Sequence, residues 1–217
     1  ITDSGVLAIT GTSTFTVANG QSVLLTESST FSDAVTFAAS GGGTIASVTI
    51  NDSNAFILQE LTTTGNLTVT AGGNITDSGT ITVGGNLAVT TNANSSTINL
   101  DTLAVTGSMA LVTNGSGAAT VVDAAAIEFA ASTVGGALSA TATNGNITQS
   151  GALDIEGTTT LVTTAVNAFI LLGTATNAFT GALLITTNDN DAAPNDTNGD
   201  VTISAGSGAA LDFGNST

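Results

Sequence analysis

The pentapeptide Ile1-Thr2-Asp3-Ser4-Gly5 returns as Ile75-Thr76-Asp77-Ser78-Gly79 and, with one change, as Ile147-Thr148-Gln149-Ser150-Gly151. The spacings are 74 and 72 residues, and each copy leads into an alternating apolar run: Leu7 and Ile9, Ile81 and Val83, Leu153 and Ile155. A chain built this way is a tandem array, with copies at 1–74, 75–146 and 147–217. Equivalent units must cover one another's apolar faces, which is how solenoids bury a core.

Within each copy, strands of three to five residues alternate apolar and polar positions and break at Gly or Asn, with no helical periodicity. Examples are Thr14-Phe15-Thr16-Val17, Phe31 to Phe37, Gly65-Asn66-Leu67-Thr68-Val69-Thr70 and, a coil further on, Gly85-Asn86-Leu87-Ala88-Val89-Thr90. Across copies the apolar positions persist while identities change. Val23 and Leu25 answer to Ile98 and Leu100, Val35 and Phe37 to Met109 and Leu111, Val48 to Val121. Phe56 and Leu58 answer to Ile127 and Phe129, and Gly65 to Gly136. The third copy supplies Phe169 and Leu171, Leu183 and Ile185, Val201 and Ile203, and Leu211 and Phe213 as inward positions.

At roughly 20 to 25 residues per coil, each copy makes about three coils. The expected fold is all-β, a right-handed parallel β-helix (β-solenoid) running as one continuous unit over residues 1–217. The hexapeptide repeats of left-handed helices are missing. Val, Ile, Leu and Phe face inward, Thr covers the outside, and Asn and Gly turn the corners.

Composition narrows function by exclusion. There is no Lys, Arg, His, Cys, Trp or Tyr, so sixteen carboxylates stand with no side-chain cation and the formal charge is −16. Binding nucleic acid or an anionic membrane surface needs Lys or Arg to displace counterions, and neither is present. Disulfides and thiolate metal sites are absent with Cys. No apolar run reaches the length of about 18 residues that spans a bilayer. The chain begins at Ile1 without a signal-like segment, so it reads as part of a longer polypeptide.

The stretch Gly65 to Gly79, with Asn177-Ala178-Phe179-Thr180-Gly181-Ala182, resembles the repeats of very large secreted bacterial surface proteins, the filamentous-haemagglutinin-like, β-strand-repeat group. That resemblance covers essentially the whole chain. It implies a right-handed β-helical shaft displayed at the cell surface and used for adhesion, for matrix building or for reach. It implies no catalytic residues.

Candidate sites are few. The loop from Asn188 to Asp200 gathers Asp189, Asp191, Asp196, Asn198 and Asp200, hard oxygen ligands of the kind Ca²⁺ takes. It lacks the closing Glu of an EF-hand, and the plainer reading is a solvated insertion. Clustered carboxylates without cations, in that loop above all, are expected to hold raised pKa values and to make the fold firmer in mild acid. Asp154 and Glu156 flank Ile155 and share an outward face, as paired carboxylates do in glycoside-cleaving enzymes. Their counterparts in the other copies are Ala8 and Thr10, and Thr82 and Gly84, and no basic or aromatic side chain stands by to bind substrate.

Asn-x-Ser/Thr sequons occur at Asn51, Asn66, Asn74, Asn94, Asn114, Asn146, Asn195 and Asn215. Asn74 and Asn146 also read as corner residues. Outward threonines such as Thr68, Thr70 and Thr90 form a ladder of the sort ice-binding solenoids use.

The sequence therefore points to a non-enzymatic structural segment, a stalk or fibre of an extracellular bacterial protein. Its expected partners are further coils of the same protein or end-to-end and lateral copies of itself, with a host-surface or glycan receptor as the outside partner. A Ca²⁺-dependent or glycan-binding adhesive module is the alternative; an ice-binding solenoid and a polysaccharide-active β-helix stand behind it.

Overall fold

The computed structural model describes residues 1–174, 176–188, 199–206 and 211–214. Among them are twenty-four strands, the pairings between them are parallel, and the one helical element is a 3₁₀ turn at Ser40–Gly42. The chain is a β-solenoid of about nine turns. At the usual separation of about 4.8 Å between strands, the rod is roughly 45 Å long.

One turn shows the plan. Leu67–Ala71, Ile75–Asp77 and Ile81–Val83 form three short faces. The next strand, Leu87–Thr91, then lies on the first, with Leu87 on Leu67 and Val89 on Val69. Side chains alternate across each strand, so Leu67, Val69 and Ala71 are buried while Thr68 and Thr70 look outward. Inward positions stack into columns. One runs Val23, Val48, Leu67, Leu87, Met109; another runs Phe56, Ile75, Ile98, Ala119, Leu138, Thr159, Leu183. Burying each Leu, Ile or Phe contributes about 1.5–3 kcal/mol, so the fold is held by the columns as much as by the ladders.

The sequence repeat is not a whole number of turns. From Thr2 the register climbs to Leu24, Thr49 and Thr68, which is three turns, and the signature threonine Thr76 then lies on the following strand. From Thr76 it climbs to Asn99, Thr120 and Ser139, again three turns, and Thr148 lies on the strand after that. Each copy thus makes three turns plus one strand, and equivalent residues advance by one face per copy.

The glycines record the same advance. Gly65, Gly85 and Gly107 stack at one corner, each donating its N–H to a backbone carbonyl of the coil below. Gly136, the counterpart of Gly65, belongs instead to the column Gly117, Gly136, Gly157 and Gly181. A Cβ on Gly136 would lie 2.5 Å from the Ser116 carbonyl oxygen, and one on Gly181 would lie 2.4 Å from Gly157. Glycine is required there because two backbones pass too close for a side chain.

Three expectations need correction. Phe169 and Leu171 were expected inward, but Ile170 and Leu172 are buried, while Leu171 is 44% exposed. A register shift between Val162 and Val166, followed by Asn167 at φ 63°, moves the segment by one residue and exchanges its faces. Val201 and Phe213 are exposed rather than inward. Threonine, expected outside, is also buried at Thr63, Thr91 and Thr163, where each hydroxyl donates to a carbonyl two to five residues ahead and closes a corner.

Candidate functional site

The signature residues serve the coil above them. The Asp3 carboxylate accepts the backbone N–H of Thr26 at 3.0 Å and of Glu27 at 3.1 Å. Asp77 accepts from Asp101 and Thr102 in the same way, and from the Thr102 hydroxyl at 2.6 Å. Both hold a bend in the next strand. In the third copy Gln149 takes this place and pairs with Asn177 through two amide hydrogen bonds.

Asparagine at the corners does related work. The Oδ1 atoms of Asn19, Asn66, Asn74, Asn86 and Asn146 accept the backbone N–H of Thr44, Asn86, Thr97, Ser108 and Phe169, each one coil on. Of the sequon residues, Asn66, Asn74 and Asn146 are engaged in this way, and Asn51 and Asn114 donate to carbonyls of Thr26 and Asn92. Asn195 and Asn215 lie outside the described residues.

Asp189, Asp191, Asp196 and Asn198 of the calcium reading also lie outside the described residues. Asp200 is exposed, and its backbone carbonyl accepts the N–H of Ile170. Among the described residues no three His, Cys, Asp or Glu side chains gather as a metal-holding group. Asp154 and Glu156 are exposed on either side of the buried Ile155, and Asp154 is stacked between Thr133 and Ala178. The outward Thr68, Thr70 and Thr90 are on adjacent coils, with Thr70 on Thr90 and Thr68 beside Ala88.

The sequence reading missed two buried carboxylates. Asp52 is 1% exposed and Asp123 is fully buried. Each stands at a register shift in the ladder below it, Asp52 opposite Ser29 and Asp123 opposite Leu103. Asp52 Oδ1 accepts the N–H of Phe31 at 3.2 Å and of Asn54 at 3.1 Å. Asp123 Oδ1 accepts from Ala125 at 2.9 Å, and the N–H of Val105 is shared between its two oxygens at 3.4 and 3.2 Å. The shift leaves these N–H groups without a regular ladder partner, and the carboxylates take them. Loss of hydration raises the pKa of both carboxyls above the ordinary value, against the opposing pull of their backbone N–H donors. The signal was parity: Asp52 follows Val48 and Ile50 at inward spacing, and Asp123 follows Ala119 and Val121.

The chain belongs to a family described as repeats of unknown function (DUF5649), whose model matches residues 45–110 and 116–186. Asp52 and Asp123 stand at the same offset from the start of the two matched segments. No curated protein and no solved structure matches the chain. No helix among the described residues is long and apolar enough to cross a membrane.

Proposed function

We propose that this chain is a structural segment, a stretch of stalk or fibre in an extracellular bacterial surface protein of the filamentous-haemagglutinin-like kind. The observation that carries the reading is where the polar side chains are spent. Asp3, Asp77, Gln149, Asp52, Asp123 and the corner asparagines all bond to backbone or side chains of adjoining coils. They build length and, among the described residues, leave no constellation directed at a substrate. The proposed partners are further coils of the same protein, joined in register to the parallel ladder, and the segment acts by holding other parts at a distance. Absence of Lys and Arg, which removes every trypsin site, suits display outside the cell.

Two measurements on the source organism and the purified segment test this. Antibody against the segment should label intact, unpermeabilised cells; labelling only after permeabilisation would refute the surface location. The purified segment should bind no glycan saturably on an array, and its melting temperature should not move with added Ca²⁺. Saturable binding, or a Ca²⁺-dependent rise, would make it the adhesive module instead.

A further inference from the structure

We infer that Asn144-Gly145 is a self-modification site, where the chain's own backbone nitrogen displaces ammonia from Asn144 and water then leaves aspartate or isoaspartate. An Asn-Gly pair is open to this reaction because glycine puts no side chain in the way of its own nitrogen. What singles out this pair is the corner it stands in.

The corners before the second and third signatures are built alike, apart from one residue. Gly72 and Thr143 donate their N–H groups to the carbonyls of the buried aspartates below, Asp52 and Asp123, at 2.7 and 2.9 Å. Gly73 and Gly145 then pass over Ala55 and Ala126, each too close for a Cβ. Asn74 and Asn146 follow and accept the N–H of Thr97 and Phe169 from the coil above. Asn144, between Thr143 and Gly145, has no counterpart between Gly72 and Gly73. The extra residue interrupts the bonding of the corner. Gly73 donates its N–H to the Asn54 carbonyl at 2.9 Å, whereas the Gly145 N–H and the exposed Asn144 side chain have no hydrogen-bond partner among the described residues.

The other Asn-Gly pairs within the described residues are held. Asn19 Oδ1 accepts the N–H and the hydroxyl of Thr44 at 2.9 and 3.3 Å, and the Gly20 N–H is engaged by the Thr44 carbonyl at 2.8 Å. Asn114 donates through Nδ2 to the Asn92 carbonyl at 2.6 Å, and its own carbonyl accepts from Ser95 and Gly117. Asn198, the first residue of the remaining pair, lies outside the described residues.

At Asn144 the Gly145 nitrogen attacks Cγ. The new C–N bond closes a succinimide ring as the Cγ–Nδ2 bond breaks, and ammonia leaves with the amide proton. Water opens the ring at either carbonyl, giving aspartate, or isoaspartate with one more methylene in the main chain. Each event adds a carboxylate to a chain that has no side-chain cation. Thr143 and Asn146 stay bonded to the coils on either side, so the rod carries the change as a mark of age and keeps its ladder.

The test is incubation of the purified segment in warm, mildly alkaline oxygen-18 water, followed by mapping with a protease that cuts at acidic or apolar residues. Loss of ammonia and uptake of label should accumulate at Asn144, while Asn19 and Asn114, which must first give up their bonds, lag by on the order of tenfold or more. In guanidinium chloride the three sites should converge, because the order is set by the fold. Asn144→Gln, whose longer side chain closes the ring far more slowly, should fold and lose the signal at that position. Folded-state conversion of Asn19 or Asn114 as fast as that of Asn144 would overturn the proposal. So would an Asn144 that stays intact over a period in which the unfolded chain converts, whatever happens at Asn198. The aged segment should melt where the fresh one does, and a drop in Tm would reject the claim that the ladder is kept.

Discussion

Gln149 and Asn177 lie in successive coils and join through two amide hydrogen bonds of 2.8 Å, each side chain donating to the other. Asn177 is buried, and its remaining capacity is filled by the backbone: Oδ1 also accepts from Leu153, and the second Nδ2 hydrogen goes to the Ser204 carbonyl at 2.9 Å, with the Leu172 carbonyl at 3.3 Å sharing the Nδ2 donors. One amide thus ties together three levels of the rod. Replacing it strands several buried groups at about 1–3 kcal/mol each, partly relieved by water. Asn177→Ala should lower unfolding free energy by about 2–4 kcal/mol. Gln149→Asp, which restores the signature carboxylate but removes the donor to Asn177, should cost less. Urea unfolding of both variants decides; equal losses would mean that the pair has no special weight.

Stacked glycines set the spacing at the corners. Gly136→Ala would push a Cβ to 2.5 Å from the Ser116 oxygen, where only backbone can yield. A loss of about 1–3 kcal/mol is expected, as for overpacking. Gly5 has open space around its Cβ position, so Gly5→Ala should be neutral or slightly stabilising. If both substitutions have the same small effect on Tm, the corners are looser than their distances imply.

Thr159 occupies a core position between Leu138 and Leu183, and its hydroxyl, fully buried, has no hydrogen-bond partner. Thr159→Val keeps the shape, removes the stranded hydroxyl and should stabilise the rod by about 1 kcal/mol. Thr113 gives the contrast: its hydroxyl donates to Gly117 at 2.7 Å and accepts from the N–H of Gly135 at 3.0 Å. Thr113→Val should therefore destabilise by about 1–3 kcal/mol. Changes of the same sign in chemical unfolding would contradict this division between the two threonines.

The period-2 alternation and the repeat are local and additive, and so the parallel coils, the inward columns around Leu67 and Leu87 and the corner role of Asn74 and Asn146 were legible in the residues alone. The one-strand advance per copy was not. It depends on summing turns of unequal length, where pairings separated by 19 residues (Thr49 with Thr68) follow others separated by 25 (Leu24 with Thr49). Bulges were equally hidden, because the residue that marks one, such as Asp52, looks like any acidic surface residue until its parity is counted against Val48 and Ile50. Register errors follow from the same source.

The pentapeptide Asn-Ala-Phe-Ile-Leu occurs at both 54–58 and 167–171, yet the two copies face opposite ways. At the first, Phe56 and Leu58 are buried and Ile57 is 51% exposed; at the second, Ile170 is buried and Phe169 only partly so. Local sequence cannot decide between these registers, since both strings are apolar on each face. The preceding corner decides, three residues after the buried Asp52 in one case and the left-handed Asn167 in the other. Burial then sets the cost of truncation. Phe56→Ala should lose about 3–5 kcal/mol and Phe169→Ala clearly less, whereas Ile170→Ala should lose about 2–5 kcal/mol and Ile57→Ala under about 1 kcal/mol. The crossed order, in which the aromatic matters more in one copy and the isoleucine in the other, is the signature of the flip. Equal rankings in both copies, measured by chemical unfolding, would place the two segments in the same register and remove the bulge at Val162 to Val166.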